Sequence, residues 1–144
     1  MNPKVSIILP VYNSEKFLHE CLESIVGQDF DSFEVLAHDD GSEDKSLGIL
    51  KEFSRFDERF KISSSKNNGI VKTLNYLISA SNSPYLARID SDDICISSRI
   101  RKQYDFLERN KSIGLVGSYV ECIDENGRTI REFHGPITHN EIDR

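Results

Sequence analysis

The sequence predicts an α/β fold: a mostly parallel sheet flanked by helices on both faces, with an antiparallel hairpin at its C-terminal end. Three observations carry that expectation. Short β-rich apolar runs alternate with segments whose apolar residues recur at helical spacing. Each run ends in a cluster of turn-forming or polar residues. The last third breaks this rhythm, where two β-rich stretches flank an Asn-Gly pair, a strong signal for a tight turn.

Taken in order, Val5 to Val11 is an apolar run suited to a buried strand. Phe17, Leu18, Cys21, Leu22 and Ile25 then fall on one helical face. Asn13 or Ser14 can cap that helix, Glu15 suits its first-turn dipole, and Gly27 can end it. Phe33 to His38 predicts a second strand, with Asp39-Asp40-Gly41-Ser42 as a turn in which Ser42 can cap the next helix. That helix carries Leu47, Leu50 and Phe53 inward and is weakened by Gly48. Phe60 to Ser64 predicts a third strand, Asn67-Asn68-Gly69 a turn, and Val71, Leu74, Leu77 and Ile78 one side of a third helix. Tyr85 to Ile89 predicts a fourth strand, leading through Asp90-Ser91-Asp92-Asp93 to a helix from about Ser97 to Arg109. Leu115 to Ile123 and Thr129 to Phe133 flank Asp124-Glu125-Asn126-Gly127 as the hairpin.

Bulk properties narrow the class. A chain of 144 residues predicts one domain with its own core. The net charge of −6 opposes nucleic acid as a partner, because the overall field repels phosphate. Three scattered cysteines without a C-x-x-C pair suggest neither a disulfide framework nor a zinc site and fit a reducing cytoplasm. With neither a signal peptide nor an apolar run of membrane-spanning length, membrane association is expected to be peripheral at most.

In an open parallel sheet, ligands collect beyond the carboxyl ends of the strands. Those ends carry Pro10-Val11-Tyr12-Asn13, Asp39-Asp40-Gly41-Ser42, Asn67-Asn68-Gly69 and Asp90-Ser91-Asp92-Asp93. Asp90 and Asp92, two apart on an extended segment, point the same way and suit a hard divalent cation such as Mg²⁺ or Mn²⁺. Such a cation lets an acidic site hold a diphosphate. Taken singly, each motif reads as well or better as a turn, a helix cap or packing, and Tyr12 fits a sheet edge somewhat better than a stacking platform.

As an ordered set, Ser6 to Asn13, Asp39 to Ser42, Asn68-Gly69 with Asn75, and Ala87 to Asp93 resemble the family 2 glycosyltransferases. The resemblance covers nearly the whole chain, through Val116-Gly117-Ser118. It implies the GT-A, Rossmann-like fold and an inverting, metal-dependent transfer from a nucleotide-sugar donor, a UDP-sugar first, to a glycan or lipid-linked acceptor in polysaccharide biosynthesis. It implies further that Pro10, Val11, Tyr12, Asn13 and Gly69 line the nucleotide site and that Asp39 or its neighbour Asp40 reads the uracil edge. Asp90 and Ser91 would lie near ribose and metal, with Asp92 the favoured Asp-x-Asp metal ligand.

The chain departs from the family pattern in two places. Many relatives carry Ala-Arg-Asn where this chain reads Thr73-Leu74-Asn75, which leaves open whether Lys72 or Arg88 approaches the diphosphate. The family's catalytic base lies in an acceptor-binding part, and none of Asp124, Glu125, Glu132, Glu141 and Asp143 carries its signature. No base is therefore assigned; it is expected beyond Arg144, with these residues alone unable to complete transfer. A lipid-linked acceptor would bring the protein to the inner face of the membrane, and apolar surface at a domain seam would favour homo-oligomers. The alternatives are a non-catalytic nucleotide-binding or interaction module, or a phosphoacceptor signalling domain. The latter needs an acidic pair after the first strand, where Pro10 to Asn13 supplies none.

Overall fold

The computed structural model describes residues 2–135. The tail from residue 136, with His139, Glu141 and Asp143, lies outside the described residues. The chain divides into two compact units, Met1–Tyr104 and Asp105–Arg144.

The first unit is built on β1 (Val5–Val11), α1 (Leu18–Val26), β2 (Phe33–Asp39), α2 (Ser46–Phe56), β3 (Phe60–Ser64), α3 (Ile70–Ala80) and β4 (Tyr85–Arg88). It ends within α4 (Arg99–Arg109). The strands are all parallel in the order β3-β2-β1-β4, the α/β arrangement expected from sequence. Every residue of β1 and β2 is buried, as central strands covered on both faces require. Alternation divides their side chains between two layers. Ile7, Leu9, Val35 and Ala37 pack with Leu22 and Ile25 of α1, Leu50 of α2 and Ile100 of α4, while Ile8 and Leu36 pack on the other face with Leu74 and Leu77 of α3.

Helix starts are where local chemistry departs from expectation. Neither Asn13 nor Ser14 caps α1 through its side chain; the Ser14 carbonyl accepts the amides of Phe17 and Leu18, and the helix begins one turn later. Phe17, expected on the inward face, is therefore half exposed. Ser42 does not cap α2 either, because its hydroxyl accepts the Asn13 amide at 3.0 Å. The Glu15 carboxylate accepts the Lys45 amide at 2.9 Å while Asp44 accepts the Glu15 amide at 2.9 Å, a reciprocal clasp between the two helix entries. In α3 the inward face is Thr73, Leu74 and Leu77, and Val71 and Ile78 are exposed.

At the amino end of the sheet, Glu34 is nearly buried among hydroxyls. The Ser6 hydroxyl donates to its carboxylate at 2.6 Å, and Lys61 pairs with the other oxygen. In the second unit, β5 (Val120–Ile123) pairs antiparallel with β6 (Thr129–Phe133) around a turn in which Gly127 takes a left-handed φ of 76°. The ladder ends at Val120↔Phe133, so Leu115, expected within the strand, lies outside it and is exposed.

Burial pushes the Glu34 pKa up, but the Lys61 and Ser6 hydrogen bonds, the Lys61 charge and the Ser83 hydrogen bond together hold it below its ordinary 4.5. A folded-state pKa below the unfolded one contributes stability that is complete above the unfolded value and is lost as pH falls through the folded one. Denaturant titrations from about pH 7 to about pH 3 should therefore show the stability gap between wild type and Glu34→Gln shrinking with acid. A gap constant with pH would contradict this.

Candidate functional site

In a parallel sheet numbered this way, β2 and β3 lie to one side of β1 and β4 to the other, so the chain reverses direction across the sheet between β1 and β4. That switch point opens a crevice beyond the strand ends. The β1–β4 ladder ends at Ile8↔Arg88, whereas β1 stays paired with β2 through Val11↔Asp39. The Ile8 carbonyl faces β4, where it accepts the Ile89 amide, and by alternation so would the amide that Pro10 lacks. The β1–β4 ladder therefore stops where the proline, which has no amide to donate, takes its place.

The resulting crevice, of about 310 Å³, is lined by Pro10, Val11 and Tyr12 from β1, Asp40 after β2, Asn67, Gly69, Ile70 and Thr73 around the start of α3, and Arg88, Asp90, Ser91 and Asp92 from β4 and its loop. Sequence reasoning singled out eight of these twelve positions as site residues. Ile70 and Thr73 carry no chemical motif and become visible only once helical phase turns them inward. In sequence Asn67 reads as a turn residue, and Arg88 as one of two open candidates for the cation.

Three expected residues lie off the crevice wall. Asn13 adopts φ 48° just past β1, and its side-chain oxygen accepts the Glu43 amide at 2.9 Å, so it braces the loop before α2. Asp39 is buried; one carboxylate oxygen accepts the Ser42 amide at 3.2 Å and the other has no partner. Lys72 lines a neighbouring hollow with His38, Ser64, Ser65, Asn68, Thr73 and Tyr76. There the polar groups largely satisfy one another: the two His38 ring nitrogens lie 2.8 Å from the Ser63 hydroxyl and 3.0 Å from that of Ser65. Burial lowers the His38 pKa against the opposing pull of Asp40 and Asp39, keeping the ring neutral.

The two aspartates after β2 are sharply distinguished. Asp40 accepts the Asn68 amide with one oxygen and the Gly69 amide with the other, both at 2.8 Å, which fastens the start of α3 to the end of β2. Gly41 makes this close approach feasible. Its φ is 78°, and a Cβ there would stand 2.6 Å from the Asn67 nitrogen.

The loop after β4 is held from behind and acidic in front. The Ser91 hydroxyl lies 2.6 Å from that of Ser14, and the Asp90 carbonyl accepts from the Asp93 amide at 3.0 Å and the Cys21 thiol at 3.5 Å. Burial, then the charges of Asp90 and Asp92, raise the Asp93 pKa. Burial pushes the Cys21 thiol up to about 12, helped by Cys95 and by Asp93, Asp92 and Asp90. In both, burial is the larger cause and the neighbouring carboxylates add to it. Arg88 offsets their charge in part through a two-point pair with Asp90, at 2.9 and 3.0 Å. Both side chains are about half exposed, so the pair is worth about 0–1 kcal/mol. Among the described residues no group of three or more His, Cys, Asp or Glu forms a metal cage. Asp90 and Asp92 sit on a turn closed by the Asp93 amide and not on the extended segment expected, yet an exposed Asp92 beside a half-exposed Asp90 still fits a hard divalent ion that takes its remaining oxygens from phosphate and water.

A parallel sheet opening at its switch point, with an acidic loop after the strand beyond it, is the GT-A arrangement. The chain matches Glycosyl transferase family 2 over residues 6–143 and belongs to that family. An uncharacterized glycosyltransferase of Haemophilus influenzae is 37% identical over 97% of this chain and 46% of its own length. The Escherichia coli O-antigen biosynthesis glycosyltransferase WbnJ is 30% identical over 97% of this chain and 55% of its own length. The crystal structure of S. aureus TarS residues 1–349 in complex with UDP-GlcNAc matches with a TM-score of 0.68 at 32% identity, covering 75% of this chain and 32% of that one. The chain thus spans about half the length of these two curated relatives and about a third of the TarS chain.

The Asp40 clasp is directly testable. Asp40→Asn leaves one acceptor facing two backbone donors, so it should destabilise the fold by about 1–3 kcal/mol in denaturant titration. Amide hydrogen exchange at Asn68 and Gly69 should accelerate ahead of global unfolding. Unchanged protection at both amides would show that the clasp does not hold the loop.

Proposed function

We propose that the crevice holds the nucleotide-sugar donor, a UDP-sugar, of a divalent-metal-dependent, inverting hexosyltransferase that serves polysaccharide biosynthesis. The observation that carries this reading is the division of labour among the aspartates: Asp40 is fully engaged by backbone amides, Asp39 keeps one buried acceptor free, and Asp92 is exposed at the crevice. A buried acceptor without a partner is costly and selects a ligand donor. The uracil imide N–H supplies such a donor, and Asp39 or its neighbour Asp40 takes it: Asp39 keeps the free acceptor but lies behind the crevice wall, whereas Asp40 stands on the wall with both oxygens engaged by amides.

Tyr12, half exposed on the crevice wall, offers its ring face to the base, with Pro10, Val11 and Gly69 shaping the slot around base and ribose. Asn13 keeps the approach to this wall in place, and Lys72 adds positive potential from the neighbouring hollow. Ser91 positions the loop through Ser14, so that Asp92, with Asp90, presents carboxylates to Mg²⁺ or Mn²⁺. When bound, such an ion neutralises the diphosphate and stabilises charge on the departing nucleoside diphosphate. The acceptor is a glycan or lipid-linked saccharide, and the setting is cytoplasmic, at the inner face of the membrane when the acceptor is lipid-linked. Residues 1–144 make the donor-holding domain, and no catalytic base is assigned among them. The names of WbnJ and of the TarS complex support the donor class and the biosynthetic role.

Calorimetric titration with UDP should show binding that requires Mn²⁺ or Mg²⁺. Asp92→Asn should weaken it on the order of tenfold or more while leaving the thermal unfolding midpoint close to that of wild type. Equal UDP affinity in excess chelator would refute the metal-bridged reading.

A further inference from the structure

Among the described residues that line the crevice, Arg88 is the cationic one, and its guanidinium grips both oxygens of Asp90. That carboxylate is also one of the two offered to the divalent ion, so two cations compete for one acceptor. We propose that Arg88 is an exchangeable counter-ion. It neutralises Asp90 in the donor-free site, releases that carboxylate to the divalent ion when a donor arrives, and turns its guanidinium onto the diphosphate. This inference rests on the donor reading given above.

Three features support the exchange. The pair is about half exposed, so solvent screens it and little is lost when it breaks. The backbone at both residues is anchored independently of the pair. The Arg88 carbonyl accepts from Arg99 at 2.9 Å, and the Asp90 carbonyl accepts from the Asp93 amide and the Cys21 thiol. Both side chains can therefore turn while β4 and its loop stay fixed. The guanidinium fork that fits a carboxylate with two parallel bonds fits a phosphate equally well, so Arg88 trades one two-point partner for another. Lys72, a point charge in the neighbouring hollow, offers no such fork on the crevice wall.

The test is calorimetric titration of this chain with Mn²⁺ alone and with UDP in saturating Mn²⁺, for wild type, Arg88→Gln and Arg88→Lys. With the competing guanidinium gone, Arg88→Gln should bind Mn²⁺ alone on the order of fivefold tighter than wild type. Its UDP affinity should fall about tenfold or more, because a charge-assisted pair to the diphosphate is lost. Arg88→Lys, which keeps the charge without the fork, should fall between the two in both titrations. Opposite signs are the signature of exchange, whereas a residue that only braces the loop would move both affinities down together. An Arg88→Gln protein whose two affinities both fall, or both match wild type, overturns the proposal. Absence of UDP binding by wild type would instead remove the donor reading itself, a result visible before any variant is compared.

Discussion

The geometry of the crevice depends on one carboxylate. Asp40 leaves the end of β2 and takes the amides of Asn68 and Gly69 with its two oxygens, so the strand end and the first turn of α3 cannot separate. Thr73 and Ile70 are presented to the crevice because α3 starts where Asp40 holds it. Gly41 allows the two loops to come within a distance no side chain would permit. This also explains why neighbouring acidic residues have unlike fates. Depth in the sheet makes Asp40 structural and leaves Asp39 with a free buried acceptor, while exposure leaves Asp92 open to a ligand.

A second constraint is charge. A chain of net charge −6 gathers Asp40, Asp90 and Asp92 around the cavity proposed for a phosphorylated donor. The negative field extends behind the loop as far as Cys21, whose thiol it helps to keep protonated. One half-exposed Arg88–Asp90 pair, worth about 0–1 kcal/mol, cannot reverse that field. A divalent ion can, since attraction to it doubles with its charge and acts on both carboxylates and phosphates at once. On the proposed reading, the acidic loop and an anionic donor meet through an intervening cation.

The layers of the fold were legible because burial imposes a simple periodicity. The run Val5 to Val11 and the Leu18, Cys21, Leu22, Ile25 stripe each read correctly, since solvent exclusion alone decides those positions. Local polar competition was not legible. Ser14 and Ser42 are competent caps and Glu15 suits a first turn, yet the Ser14 hydroxyl is taken by Ser91 and the Tyr12 carbonyl, and Ser42 and Glu15 are each claimed by the facing helix entry, about 30 residues away. In the crevice, Asp90, Asp92 and Tyr12 were readable because strand ends concentrate chemistry there. The separate tasks of Asp39 and Asp40 were not, because they depend on which faces inward past the last ladder bond. Sequence alone leaves the choice between Lys72 and Arg88 open, and only the phase of α3 against β4 places Arg88 on the wall and Lys72 behind it.

The claim on which the functional account turns is that a divalent ion sits between the β4 loop and a diphosphate in this crevice. Paramagnetic broadening of backbone amide signals by substoichiometric Mn²⁺, recorded with and without UDP, locates such an ion directly. We expect UDP to concentrate the broadening on residues 88–92 and, more weakly, on residues 10–12 and 67–70 across the crevice. Broadening that ignores UDP, or that centres on another part of the chain, would contradict it.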